Sequence, residues 1–225
     1  MSRLRGTYYL LKHALLTVPG DVAETGLFQG GSGILMALML HSWDFCGHRR
    51  YWGFDSFRGL PRAVAADMAG SATVGAAGQM AVARDVVEAN FKAAGVNMSS
   101  GLVTLIPGWF NETLPGAAVR HIAFLRLDGD MFTSTRDALV NLYDKVVPGG
   151  LVYVDDYGSF NGCKMAVDIF RKQRGITQPL HWIRELAYPV EAVWWRKPLR
   201  EHPLRGGGGG GGGSGGCSSS GGMDD

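Results

Sequence analysis

Two pairs of aspartates carry the chemistry this sequence is best equipped to do. Leu127-Asp128-Gly129-Asp130 and Val154-Asp155-Asp156-Tyr157 each follow an apolar run, so each sets two carboxylates just beyond a strand. In doubly wound sheets ligands bind at that carboxyl edge, and neighbouring strands lie about 4.8 Å apart. If these two strands are neighbours, Asp128, Asp155 and Asp156 crowd into one place. Crowded carboxylates repel one another unless a cation joins them, and an all-oxygen donor set suits a hard divalent ion. Mg2+ is the first expectation, with Mn2+ and Ca2+ as alternatives. The competing reading makes all four residues capping and turn aspartates.

A second constellation, Glu24-Thr25-Gly26-Leu27-Phe28-Gln29-Gly30-Gly31-Ser32-Gly33, stands where a strand hands over to a helix. Glycines there let the backbone approach a ligand, and a helix N-terminus offers N–H groups to an anion. The anion could be a pyrophosphate or the carboxylate of an amino-acid moiety; a turn that serves only packing is the plain alternative. Glu24 decides against pyrophosphate, which it would repel, and for a ligand with an ammonium group. The glycine spacing also departs from G-x-G-x-x-G. Asp55 ends the next strand, where a carboxylate can hold both ribose hydroxyls or merely cap a turn. Trp109-Phe110, after Pro107-Gly108, could wall an adenine ring or belong to the core. The histidines form no ligand-spaced cluster, and His41 and His48 are read as non-catalytic.

These residues need an α/β scaffold, and the pattern supplies one. Strands are expected at 22–25, 51–54, 102–106, 122–127, 151–154, 180–184 and 192–196. Helices are expected from near Ser32 through Leu40, at 85–94 with Val86, Val87, Phe91 and Ala94 on one face, at 134–146 closed by Pro148-Gly149-Gly150, and at 161–174 capped by Asn161. The first five strands alternate with helices, which implies βαβ units and a parallel sheet; the last two make a hairpin-like finish around Pro189. Residues 58–82, rich in Ala and Gly and holding Pro61, read as a mobile loop. Leu4, Tyr8, Leu11 and Leu15 recur at helical spacing, giving residues 1–19 as a packing helix. Arg3, Arg5 and Lys12, with no acid before Asp21, leave a transit peptide as the other reading.

Of the 225 residues, 20–200 make one domain, and 46% hydrophobic content is enough for its core. Eight consecutive glycines (206–213) open a Gly/Ser tail at 206–225 that cannot offset the entropy of ordering. A formal net charge of +2 with no basic run argues against a nucleic-acid partner. No apolar stretch reaches the roughly 18 residues that cross a bilayer, so no membrane partner is expected. Cys46, Cys163 and Cys217 are odd in number and lack metal spacing. They read as free thiols of a reducing, cytoplasmic compartment, with organelle import as the alternative.

Several blocks in order resemble the macrocin O-methyltransferase family over roughly residues 5–197. They are Gly20-Asp21-Val22-Ala23-Glu24-Thr25-Gly26, Phe54-Asp55-Ser56-Phe57-Arg58-Gly59-Leu60-Pro61, Gly108-Trp109-Phe110-Asn111-Glu112-Thr113-Leu114-Pro115, and the two aspartate blocks with Gly158. The resemblance implies a Rossmann-like class I methyltransferase fold: a seven-stranded, mostly parallel sheet with an antiparallel last strand and helices on both faces. It also implies S-adenosylmethionine (SAM) as donor, a divalent metal, and a sugar hydroxyl or other vicinal diol of a secondary metabolite as acceptor. A homo-oligomer would be in keeping with it. Residue by residue, it assigns Glu24, Gly26, Gly30 and Ser32 to the methionine-binding turn, Asp55 to the ribose, and Asp128, Asp155 and Asp156 to the metal; Ser56, Gly108 and Trp109 are counted with them as cofactor-binding residues. The Glu24-to-Ser32 spacing is also similar to catechol O-methyltransferases, which carry a lysine base where Met131 stands here. Asp128 or Asp130 is therefore the candidate proton acceptor, although Asp130 could instead cap the helix near Ser134. Two other classes stay open: a nicotinamide-dependent oxidoreductase, opposed by Glu24 and with no use for the clustered aspartates, and a SAM-binding protein without turnover.

Overall fold

The computed structural model describes residues 3–44, 47–69, 74–185 and 188–199. Its frame is a seven-stranded sheet in the order β3-β2-β1-β4-β5-β7-β6. The strands β1 (Asp21–Thr25), β2 (Tyr51–Asp55), β3 (Val103–Pro107), β4 (Ile122–Leu127) and β5 (Val146–Val154) are parallel. β7 (Tyr188–Arg196) returns antiparallel between β5 and β6 (His181–Glu185). Strand order reverses between β1 and β4, which is the crevice where such sheets bind ligands. The fold is the expected Rossmann-like methyltransferase sheet.

Period-two alternation sends successive side chains to opposite faces, and helices cover both. On β5, Leu151 and Tyr153 join Leu11 of α1 (Arg3–Thr17), Met36 of α2 (Gly31–Trp43) and Phe91 of α4 (Arg84–Ala93). Val152 and Val154 join Leu139 of α6 (Phe132–Leu142) and Val167 of α7 (Asn161–Gln173). Each such fully buried side chain contributes about 1.5–3 kcal/mol relative to exposure. Two short helices, α3 (Ala65–Met68) and α5 (Phe110–Thr113), lie in the loops after β2 and β3. Among the described residues no helix is long and apolar enough to cross a membrane.

The structure corrects several expectations. Pro148-Gly149-Gly150 does not end a helix: α6 stops at Leu142, a 3-10 turn covers Tyr143–Lys145, and β5 begins at Val146. Gly149 takes φ 83, and the β4–β5 register jumps from Ile122↔Val146 to Phe124↔Leu151, so these glycines serve a bulge. Asn161 is the first residue of α7 rather than its cap, and Pro189 lies within β7. Leu4 and Val86 point outward, 50% and 48% exposed, so the buried stripes of α1 and α4 are narrower than the periodicity suggested. The 58–82 loop is tied at its neck: the Leu60 N–H donates to the Gln79 carbonyl and the Gly78 N–H to the Leu60 carbonyl, both 2.9 Å. Cys46, Cys217 and the glycine tail lie outside the described residues.

Candidate active site

After β1 the chain turns at Gly26 (φ 85), where a Cβ would stand 1.7 Å from the Asp128 carbonyl oxygen. The close passage of the β4 end demands this glycine, and the Asp128 N–H donates to the Thr25 carbonyl across the gap (2.9 Å). Gly30 (φ 88) precedes α2, and a Cβ there would strike Phe91 at 2.8 Å. Packing thus accounts for two glycines assigned to ligand approach. The opening turn of α2 leaves its N–H groups without intrahelical partners, and Gly31 and Ser32 of that turn line a cavity.

Glu24, expected to meet an ammonium group, is fully buried beneath this turn. It accepts from the Ser32 hydroxyl (2.6 Å), the Tyr51 hydroxyl and Arg126 (2.9 Å). Burial pushes its pKa up, against the pull of Arg126. Arg126 is the hub of the site. Register places it opposite Glu24 on β1 and Tyr153 on β5, so all three share the face covered by α1 and α2. Its guanidinium reaches Glu24, Asp128 (2.5 Å) and Asp155 (2.9 Å). Burial alone would lower its pKa, but Asp128, Asp155 and Glu24 raise it well above the ordinary value. Asp155 also accepts from the Tyr153 hydroxyl (2.9 Å) and from Arg3 of α1, whose guanidinium lies 3.6 Å from Asp156.

The carboxylates brought together are Asp128, Asp130 and Asp156, with one oxygen from each all within 4.8 Å of one another. The expectation was Asp128, Asp155 and Asp156; the structure turns Asp155 onto Arg126, Arg3 and Tyr153 and puts Asp130 in the group instead. Asp130 gets there because its backbone adopts φ 55 in a tight turn closed by the Met131 N–H to the Gly129 carbonyl (2.5 Å). It does not cap α6, whose N-cap is Met131. Met131 itself is a core residue, 1% exposed. Burial, reinforced by Asp128, pushes the Asp130 carboxyl up to about 7. Burial, then Asp128 and Asp130, push Asp156 well above the carboxylate range. The Asp156 Oδ2 is buried with no hydrogen-bond partner. Around Arg126 and Arg3, five carboxylates (Glu24, Asp128, Asp130, Asp155, Asp156) face two guanidiniums. An unpartnered buried oxygen within an all-oxygen, anionic set fits a hard divalent cation.

A cavity of about 580 Å³, within the range of small-molecule sites, is lined by Gly26, Ser32, Asp55, Ser56 and Trp109 together with the four aspartates. The turn and the acids therefore share one space. Glu24, Gly30 and Gly108 are the expected residues that do not line it; Gly108 borders a smaller hollow of about 350 Å³ with Ser56 and Trp109. Asp55 clamps the β1–α2 turn: its Oδ2 accepts the Leu27 N–H (2.6 Å) and its Oδ1 the Phe57 N–H (2.6 Å). Sequence reasoning passed over Arg3, Tyr51, Arg126 and Tyr153. Arg126 left a signal, being a lone charge inside the apolar run Ile122–Leu127; Arg3, 152 residues from its partner Asp155, left none.

The family model described as Macrocin-O-methyltransferase (TylF) matches residues 9–197. An 8-demethyl-8-(2,3-dimethoxy-alpha-L-rhamnosyl)-tetracenomycin-C 4'-O-methyltransferase from Streptomyces olivaceus is 39% identical over 184 residues, 80% of this chain and 69% of that protein. A demethyldecarbamoylnovobiocin O-methyltransferase from Streptomyces niveus is 38% identical over 183 residues, 80% and 67% of the two chains. Among solved structures, the O-methyltransferase NovP matches with a TM-score of 0.75 at 35% identity, covering 87% of this chain and 79% of its own. TomG from Streptomyces achromogenes, solved in complex with SAM, shares the fold at TM-score 0.58 and 16% identity, with 88% and 81% coverage.

Proposed function

The chain belongs to the macrocin-O-methyltransferase family, and from that premise we propose that it methylates a hydroxyl of a sugar or other vicinal diol in a secondary metabolite, using SAM and a divalent cation. The observation that carries this reading is the juxtaposition of Asp128, Asp130 and Asp156 in the cavity that the β1–α2 turn also lines.

SAM, when bound, supplies an electrophilic methyl group on a sulfonium. The Ser32 N–H and the others opening α2 would take its carboxylate, Asp55 and Ser56 its ribose, and Trp109 would wall the adenine. Gly26 and Gly30 act by letting the turn pack, and Glu24 acts from beneath through Ser32. A divalent cation, Mg2+ by preference for an all-oxygen set, would be held by Asp128, Asp130 and Asp156. It would supply positive charge against an acceptor hydroxyl as that group loses its proton. Asp155 would steady the set from behind by fixing Arg126 and Arg3. Asp128 or Asp130, both beside the cation, is the candidate to take up the proton. Two neighbouring hydroxyls on the acceptor would let one be held while the other is aimed at the methyl. The rhamnosyl group in the name of the Streptomyces olivaceus relative supports a sugar acceptor.

The test is transfer of labelled methyl from SAM to a panel of glycosides and small diols, with Mg2+ or with excess EDTA. Label should reach diols only when the cation is present. Undiminished transfer in EDTA would remove the cation from the reaction, and transfer to no hydroxyl would remove the assigned acceptor class.

A further inference from the structure

A buried carboxylate outside the cavity lining ties the two acid-bearing turns together. Asp67, in α3 of the 58–82 loop, is only 4% exposed. Its Oδ1 accepts the N–H of Phe132 (2.7 Å), the first residue of α6, and its Oδ2 accepts the Val64 N–H (2.9 Å). Gly162, second residue of α7, passes so close that a Cβ there would lie 2.0 Å from the same Oδ1. The Asn161 side chain adds a bond to the Ala69 carbonyl at 3.1 Å. No ion pair to Asp67 is found among the described residues. Its charge is met instead by the opening turns of two helices, where free N–H groups and the positive dipole ends favour an anion.

The position of those helices is what gives this bond its consequence. Phe132 follows Asp130 by two residues, and α7 begins just after the turn from Asp156, whose carbonyl accepts the Phe160 N–H (3.0 Å). Asp67 therefore braces, from behind, both turns that deliver Asp130 and Asp156. It belongs to the same loop as Gly59, Leu60, Pro61 and Met80, which line the cavity. We propose that Asp67 is a positioning residue that sets the spacing of Asp130 and Asp156 and fixes the 58–82 loop against them. This rests on the reading of those acids as cation ligands.

Two variants test it in the full-length protein. Asp67→Asn keeps the shape but replaces one acceptor oxygen by a donor and removes the charge. Gly162→Ala keeps the charge but displaces it, with a residue that a helix otherwise prefers. Both should raise hydrogen exchange at the amides of Val64 and Phe132 and weaken Mn2+ binding about tenfold, as loss of an outer-layer support does. SAM affinity should stay at the wild-type value, and the acceptor KM should rise more than kcat falls. Unaltered exchange at Phe132 together with unaltered Mn2+ affinity would overturn the proposal, as would SAM affinity falling in step with the rest. If the wild-type protein binds no Mn2+, the cation assignment fails, and exchange at Phe132 alone still decides whether Asp67 braces α6.

Discussion

Glu24 and Asp155 sit beside Asp128, Asp130 and Asp156, yet the two sets of acids live under different conditions. The first set is saturated: Glu24 accepts from Ser32, Tyr51 and Arg126, and Asp155 from Arg126, Arg3 and Tyr153. The second opens on the cavity and contains a buried carboxylate oxygen with no partner. Burial separates them only in part, since Asp128 and Asp130 are half-buried but Asp156 is as enclosed as Asp155, 4% against 1% exposed. What separates them is how Arg126 is shared. Strand alternation directs it onto the face of Glu24 and Tyr153, and it binds Glu24 and Asp155. Of the second set it reaches Asp128 but neither Asp130 nor Asp156 among the described residues. A fixed guanidinium turns one set into scaffold and gives the other a single bond, to Asp128, with Arg3 standing 3.6 Å from Asp156. Three carboxylates so met stay short of positive charge, and that shortage is what can recruit a cation.

Substitutions should divide along the same line. The largest effect belongs to Asp130→Asn, which should cut kcat about 10²–10⁴-fold, the usual worth of a positioned proton acceptor, with the thermal midpoint kept. Near-normal turnover would take Asp130 out of the open set. Arg126→Met attacks the scaffold instead. It leaves Glu24 buried without its cation and Asp155 with Arg3 alone, and should lower stability in urea unfolding by about 3–5 kcal/mol. A fold as stable as the wild type would erase the distinction. Asp155→Asn should weaken divalent-cation affinity by about 10–100-fold, as supporting residues do, without abolishing it; complete loss in titration calorimetry would move Asp155 among the ligands. Smallest is Ser32→Ala, which should cost about 1 kcal/mol for one hydrogen bond to Glu24, and a larger loss would mean Glu24 depends on it more than on Arg126.

The strands and the acids at their tips were legible because a parallel sheet writes itself as apolar runs and its working edge as the polar residues that follow. Asp128, Asp130 and Asp156 could be found that way. Which aspartate joins which partner could not, because Asp155 is claimed by Arg3 from the far end of the chain and by Arg126 through strand register. Glycine misled twice for one reason. At Gly149 it serves a bulge, and at Gly30 close helix packing, so a residue that permits unusual backbone does not say what the permission is for. Asp67 was hidden in a segment of low complexity, where only the folded positions of Phe132 and Gly162 reveal its use.

The most direct test of the central claim is a crystal of the protein soaked in Mn2+, read by anomalous scattering. One peak should appear, ligated by Asp128, Asp130 and Asp156, with Asp155 still on Arg126. No peak in the cavity, or a peak ligated by Asp155 after Arg126 has let it go, would contradict the division of the acids into scaffold and site.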